Sequence, residues 1–110
     1  MNLGEYDVGA AISAAGTTQA TATYLINAVS LVTTAAASSG VRLRLHSDAP
    51  GYQGAPQIVF NGGANPVNVY PPTGVKINNL PTNSPHILAV NTACLFVTVS
   101  PTQIIAILSA

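Results

Sequence analysis

The sequence predicts an all-β protein, folded as a compact antiparallel β-sandwich or a jelly-roll-like small barrel. Residues 41–46 alternate Val and Leu with Arg and His, which is the period of two that a half-buried strand requires. Clusters of Gly, Pro and Asn separate such stretches, and the Pro-Pro pair at 71–72 removes two amide hydrogens. An Ala-rich helix over residues 8–15 is not expected, because Gly9 and Gly16 bracket too few residues to make it stable.

The chain divides into an extended N-terminal arm, residues 1–16, and a single β-domain, residues 17–110. The arm is rich in Gly, Ala and Ser and has no sustained period, so we expect it to be ordered by contact with a neighbour. The predicted strands of the domain cover residues 17–26, 29–34, 41–46, 57–60, 67–70, 75–78, 86–90, 94–99 and 103–108.

Turn residues connect these strands. Asn61-Gly62-Gly63 tolerates positive φ and predicts a tight hairpin turn, and residues 91–93 predict a second hairpin. Residues 100–102 turn the chain into its last strand, and residues 47–56 form the longest loop. No strict internal repeat is visible in the sequence.

Charge is scarce in this chain. Charged residues make up 5% of the sequence, against about 25% in an average soluble domain, and the formal net charge is zero. A protein with so little charge is poorly protected against self-association, so we expect much of its surface to be buried in an assembly. The sequence has no basic patch, so nucleic-acid binding is not expected. No apolar run approaches the ~20 residues that are needed to span a membrane. The N-terminus lacks the features of a secretory signal, which predicts synthesis and assembly in a cytoplasm.

The sequence does not predict an enzyme, a cofactor or a metal site. Its carboxylates are Glu5, Asp7 and Asp48, and the first two belong to the predicted arm, so no acid–base pair is evident. Neither histidine has a Cys, Glu or second His near it in the sequence at the spacing of a zinc site. Cys94 lies within the apolar run 93–96, which predicts a packed thiol. It is the one cysteine of the sequence, so no internal disulfide can form.

Four residues are candidates for an interface. Arg42, Arg44 and His46 share the polar face of the strand 41–46, and Tyr52 stands in the loop 47–56. The polar face is either an ordinary solvated surface or a contact between subunits, since arginine is enriched at interfaces. Tyr52 is the tyrosine best placed for an exposed contact with a ligand such as a sugar.

Several segments, taken in order, resemble small β-rich structural proteins of tailed bacteriophages. The resemblance covers residues 16 to about 95, and the segments that carry it are Gly16–Thr23, Val32–Ala36, Gly40–Leu43, Asn61–Pro71 and Gly74–Leu80. The chain departs from these relatives at Leu45-His46, where they tend to have proline, and in its longer loop 47–56.

The resemblance implies a part of the virion, on the capsid exterior. The first hypothesis is a capsid decoration (cement) protein that binds the lattice of the major capsid protein as a homo-oligomer, expected to be a trimer, and stabilises the head. The arm, residues 1–16, would dock on the capsid or on a neighbouring copy, so truncation at Gly16 is expected to weaken attachment. The alternative is a tail-fibre or spike module that binds a host glycan through Tyr52. A fibre module usually belongs to a longer chain, which favours the decoration protein.

Overall fold

The structure, a computed structural model, describes residues 8–44 and 56–108. These residues form ten β-strands and no helix. Because those residues contain no helix, none of them forms a helix that could span a membrane. The strands are β1 (Val8–Ala14), β2 (Thr23–Tyr24), β3 (Val29–Ala35), β4 (Gly40–Arg42), β5 (Gln57–Asn61), β6 (Val67–Tyr70), β7 (Lys76–Ile77), β8 (His86–Leu88), β9 (Ala93–Ser100) and β10 (Gln103–Leu108).

The strands form two mixed sheets around one core, an arrangement consistent with a β-sandwich. The larger sheet has six strands in the order β1-β3-β5-β9-β10-β7, and the smaller has four in the order β2-β4-β6-β8. Each sheet contributes one apolar face to the core, which includes Val32, Val59 and Phe96 from the larger sheet and Val41 and Val69 from the smaller. The all-β class predicted from the sequence is therefore confirmed.

The chain winds between the sheets as a coil rather than folding back in hairpins. From β1 to β6, successive strands alternate between the six-stranded and the four-stranded sheet. Each of the strands β3 to β6 pairs in parallel with the strand two places earlier in the sequence, as β3 does with β1 and β4 with β2. Antiparallel pairs appear only later among the described strands, where β9 joins β5 and β10 and where β8 joins β6.

The predicted antiparallel pairing is therefore correct only for part of the described strands, because both sheets are mixed. The strands on either side of 61–63 and of 91–93 belong to different sheets, so neither segment is a hairpin turn. The turn at 100–102 does join antiparallel neighbours, β9 and β10. Gly and Asn serve a crossing between sheets as well as they serve a hairpin, so turn residues alone do not distinguish the two.

The N-terminal region differs from the predicted arm. Residues 8–14 form β1, the edge strand of the larger sheet, and Ala14 at its end is buried. Ala15 and Gly40 then exchange two backbone hydrogen bonds, of 3.0 and 3.3 Å, which tie the end of β1 to β4. The remainder of the predicted arm, residues 1–7, lies outside the described residues. Truncation at Gly16 would thus remove a paired strand.

The predicted strand 17–26 is also shorter than expected. Only Thr23 and Tyr24 are in a strand, because the residues before them form a turn that starts after Gly16, whose φ is +75°. The hydroxyls of Thr18 and Thr21 lie 2.7 Å apart, and the Ala22 amide donates to the Thr18 carbonyl at 2.9 Å. Threonine hydroxyls compete in this way with the hydrogen bonds of a sheet.

A buried asparagine holds the crossing that follows β5. Asn61 is fully buried, and its Nδ2 donates to the carbonyls of Asn65 at 2.9 Å and Leu88 at 3.0 Å. Its Oδ1 accepts from the Gly63 amide at 3.0 Å. A Cβ at Gly63 would lie 2.7 Å from the Cβ of Ala35, so the close approach to β3 requires glycine.

Candidate interaction surfaces

The outer face of the six-stranded sheet carries an unbroken row of aliphatic side chains across five strands. The pairing register places Val8, Val29, Ile58, Leu95 and Ile107 side by side on β1, β3, β5, β9 and β10. We call these five residues the aliphatic row. None of them is buried, and Ile107 is 56% exposed.

Further apolar side chains flank the aliphatic row, two residues along the strands on either side of it. Leu31 and Phe60 lie opposite each other on one side of it, and Val97 and Ile105 do so on the other. Ile58, Leu95 and Ile107 also line a shallow apolar depression. Among the described residues, the one charged side chain on this face is Lys76, which lies on the edge strand β7. The face is therefore broad, apolar and without charge over its centre.

The outer face of the four-stranded sheet is more polar, although Ile87 on β8 is exposed there. The register of β2, β4 and β6 aligns Tyr24, Arg42 and Tyr70, which we call the tyrosine–arginine row. The Arg42 guanidinium lies 5.1 Å from the centroid of the Tyr24 ring, a cation–π contact. The geometry presents a cation held on an aromatic ring, with both groups in reach of solvent.

The chain itself covers one end of the tyrosine–arginine row. Tyr70 is buried although it points away from the core, and its hydroxyl donates to the Thr17 carbonyl at 3.1 Å. Its ring lies over Gly40, where an added Cβ would come within 2.8 Å of a ring carbon. Gln19 makes a second contact there, since its Nε2 donates to the Pro71 carbonyl at 2.8 Å. The turn 17–22 thus packs on this face.

Arg44, two residues after the end of β4, forms hydrogen bonds that fix its own position. Its Nη1 donates to the Ile26 carbonyl at 2.9 Å. The side chain of the buried Gln57 accepts from the Arg44 amide and donates to the Arg44 carbonyl, both at 3.1 Å. These bonds fix Arg44 beside the start of β5, where the chain returns from residues 45–55.

The structure places two of the four predicted interface residues. Val41 and Leu43 are buried whereas Arg42 and Arg44 are partly exposed, so the predicted alternation is present through Arg44. Arg42 joins the tyrosine–arginine row, while Arg44 binds backbone groups. His46 and Tyr52 lie outside the described residues.

Groups with chemical reactivity are few and separate. The described residues contain no Asp or Glu, and they include no group of three or more His, Cys, Asp or Glu that could hold a metal ion. Cys94 is buried on the inner face of β9, and burial raises the pKa of its thiol to about 11. The thiol is therefore protonated near neutral pH and is a packed core group, as the sequence predicts.

His86 lies between the sheets. It occupies the inner face of β8, opposite Val69, and its ring meets the edge of Phe96 with centroids 5.8 Å apart. Its Nε2 is buried and has no hydrogen-bond partner among the described residues. Burial lowers the pKa of this imidazole from its ordinary value of 6.5.

Sequence reasoning missed the aliphatic row. Its members come from five separate segments, and only the register of the strands brings them together. A signal was present in β5, where Ile58, Val59 and Phe60 are consecutive apolar residues, as expected of a strand with two apolar faces.

Comparison of the chain with protein-family models gave no match, and searches among curated proteins and among solved structures gave none either.

Proposed function

We propose that this protein is a bacteriophage capsid decoration protein, which binds the lattice of the major capsid protein as a homo-oligomer and stabilises the head. The observation that carries the proposal is the uncharged aliphatic row and the apolar residues beside it. An exposed apolar face of this breadth is typical of a surface that another molecule covers. A part of a permanent assembly meets that requirement.

The two outer faces suit two different contacts. The apolar face suits a permanent contact, because burial of aliphatic groups is non-directional and strong. The tyrosine–arginine row suits the contact with the capsid, because Tyr and Arg are enriched among the residues that dominate interface energies. Arg42 gives this row a cationic group, which favours an acidic docking site.

Stabilisation of the head would follow from multivalent binding. Each copy offers one small polar contact, which alone would be weak. An oligomer that touches several capsid subunits at once makes the later contacts intramolecular, so that its avidity exceeds the affinity of any single contact. Subunits bridged in this way resist separation under internal DNA pressure.

Cosedimentation with phage particles tests the proposal. Purified protein is mixed with heads that lack it, and with tails and host cells as parallel targets. We expect saturable binding to heads alone, with a fixed copy number per capsid. Binding to host cells without binding to heads would overturn the decoration proposal.

The alternative, a tail-fibre or spike module that binds a host glycan, has one structural observation in its favour. Strands β1 to β6 form successive parallel coils, and in the described part of the chain β1 and β2 are edge strands at the start of those coils. A coil added at this edge would extend both sheets, as a shaft requires. The tail and host-cell arms of the same experiment discriminate this candidate.

A further inference from the structure

We propose that the outer face of the six-stranded sheet binds further copies of this chain, with the aliphatic rows of the copies meeting at the symmetry axis of the oligomer. The inference deepens the proposed function, because it assigns one face to self-association and leaves the other for the capsid.

The size of the face fits such a contact. Five strands at about 4.8 Å spacing, with three apolar rows about 6.7 Å apart, give a face of roughly 500 Å². Two copies that bury this face against each other would together remove about 1,000 Å² from water, which is the lower end of the range for a specific interface between two proteins. A single copy would leave an apolar patch at the upper end of what monomers expose.

The chemistry of the face also favours a second copy of this chain over a polar ligand. Aliphatic side chains offer no charge or hydrogen bond that could recognise a polar ligand, whereas an identical aliphatic face is complementary to them. Lys76 lies on the edge strand β7 and so stands away from the centre of a contact between copies. The formal net charge of zero means that copies do not repel one another.

Segments of this chain are poorer candidates for the cover. Residues 1–7 contain Glu5 and Asp7, and residues 45–55 contain Asp48. Burying a carboxylate against aliphatic groups is unfavourable unless the charge is paired. A second copy brings no such charge to the face.

Two isoleucines give a matched pair of test variants. Ile107 belongs to the aliphatic row and is 56% exposed, whereas Ile87 lies on the outer face of the four-stranded sheet and is 66% exposed. Ile107→Lys and Ile87→Lys therefore make the same chemical change on strands of opposite sheets. Thermal unfolding and circular dichroism of both variants establish that each retains the fold.

Sedimentation equilibrium over a wide range of concentration is the readout. We expect the wild-type chain and Ile87→Lys to form the same oligomer. Ile107→Lys should weaken self-association by about 100-fold or more, since like charges would meet in an apolar contact. A wild-type chain that remains monomeric, or an oligomer unaffected by Ile107→Lys and weakened by Ile87→Lys, would overturn the inference.

Binding to heads separates this inference from the proposed function. A wild-type chain that is monomeric in solution and still saturates heads would refute the self-contact and leave the decoration function intact. An oligomer that Ile107→Lys dissociates, but that ignores heads, would support the self-contact and refute the decoration function.

Discussion

The outer faces of the two sheets differ although both sheets pack on one core. The face of the four-stranded sheet is partly covered by the turn 17–22 and holds Arg42 against Tyr24. The face of the six-stranded sheet is covered by no described residue, yet it carries the aliphatic row. The difference teaches that the described chain covers part of the smaller sheet's outer face, whereas on the larger sheet it leaves apolar side chains exposed to water, the kind of surface that another molecule typically covers.

Neighbouring residues on β9 provide the largest test of this comparison. Phe96 is 1% exposed on the inner face, whereas Leu95 is only half-buried on the outer face. We expect Phe96→Ala to lower the free energy of unfolding by about 3 to 5 kcal/mol, because it leaves a cavity between the sheets. Leu95→Ala should cost less than about 1 kcal/mol in dilute protein.

Urea unfolding at several protein concentrations is the measurement. The loss caused by Leu95→Ala should grow with concentration, since an oligomer contact adds to stability by mass action. A loss from Leu95→Ala that is independent of concentration would contradict the assignment of the outer face to self-association.

The crossing that holds the two sheets together gives the next largest effect. Asn61→Ala removes the acceptor of the Gly63 amide and the two N–H donors to the carbonyls of Asn65 and Leu88. We expect a loss of about 2 to 3 kcal/mol in the free energy of unfolding, measured in urea. Asn79→Ala, at an exposed asparagine, is the control and should change stability by less than about 0.5 kcal/mol. Equal effects of the two variants would refute a structural role of the Asn61 network.

Sequence patterns predicted the inner half of this molecule better than its connections. The alternation at 41–44 correctly identified Val41 and Leu43 as core and Arg42 as outward-facing. Short strands were also predicted at 57–60 and 67–70 from local composition and turn residues, and the structure has them at Gln57–Asn61 and Val67–Tyr70. These features depend on neighbours in the chain, so the sequence reveals them.

The parallel coils could not be predicted in the same way. A strand has the same period of two whether its partner is parallel or antiparallel, and the Asn-Gly-Gly segment at 61–63 suits a crossing as well as a hairpin. The coils also differ in length, because residues 45–55 fall within only one of them, so no regular repeat marks them. The aliphatic row depends on this register and was missed with it.

Arg42 provides a smaller test, on the polar outer face. Under the proposed function, Arg42→Gln should weaken binding to heads by about 1 to 2 kcal/mol, roughly tenfold, because it removes a cation from the contact. Arg42→Lys keeps the charge but loses the planar guanidinium, so its effect should be intermediate. Cosedimentation with heads measures both, and sedimentation equilibrium should show an unchanged oligomer. An Arg42→Gln variant that loses the oligomer and keeps head binding would reverse the assignment of the two faces.

His86 gives the smallest effect and tests the inner face that the two sheets share. Burial beside Phe96 disfavours the charged imidazolium, so its pKa in the folded protein is below the value of 6.5 that an exposed histidine has. As pH falls through 6.5 towards the folded pKa, the unfolded chain binds more protons than the folded one, and the free energy of unfolding decreases. Urea unfolding between about pH 8 and pH 5.5 measures this slope. His86→Asn should flatten it, whereas His46→Asn should leave the His86 contribution in place. A slope that survives His86→Asn and disappears in His46→Asn would show that the titrating group is His46, and would contradict the pH dependence assigned here to the burial of His86.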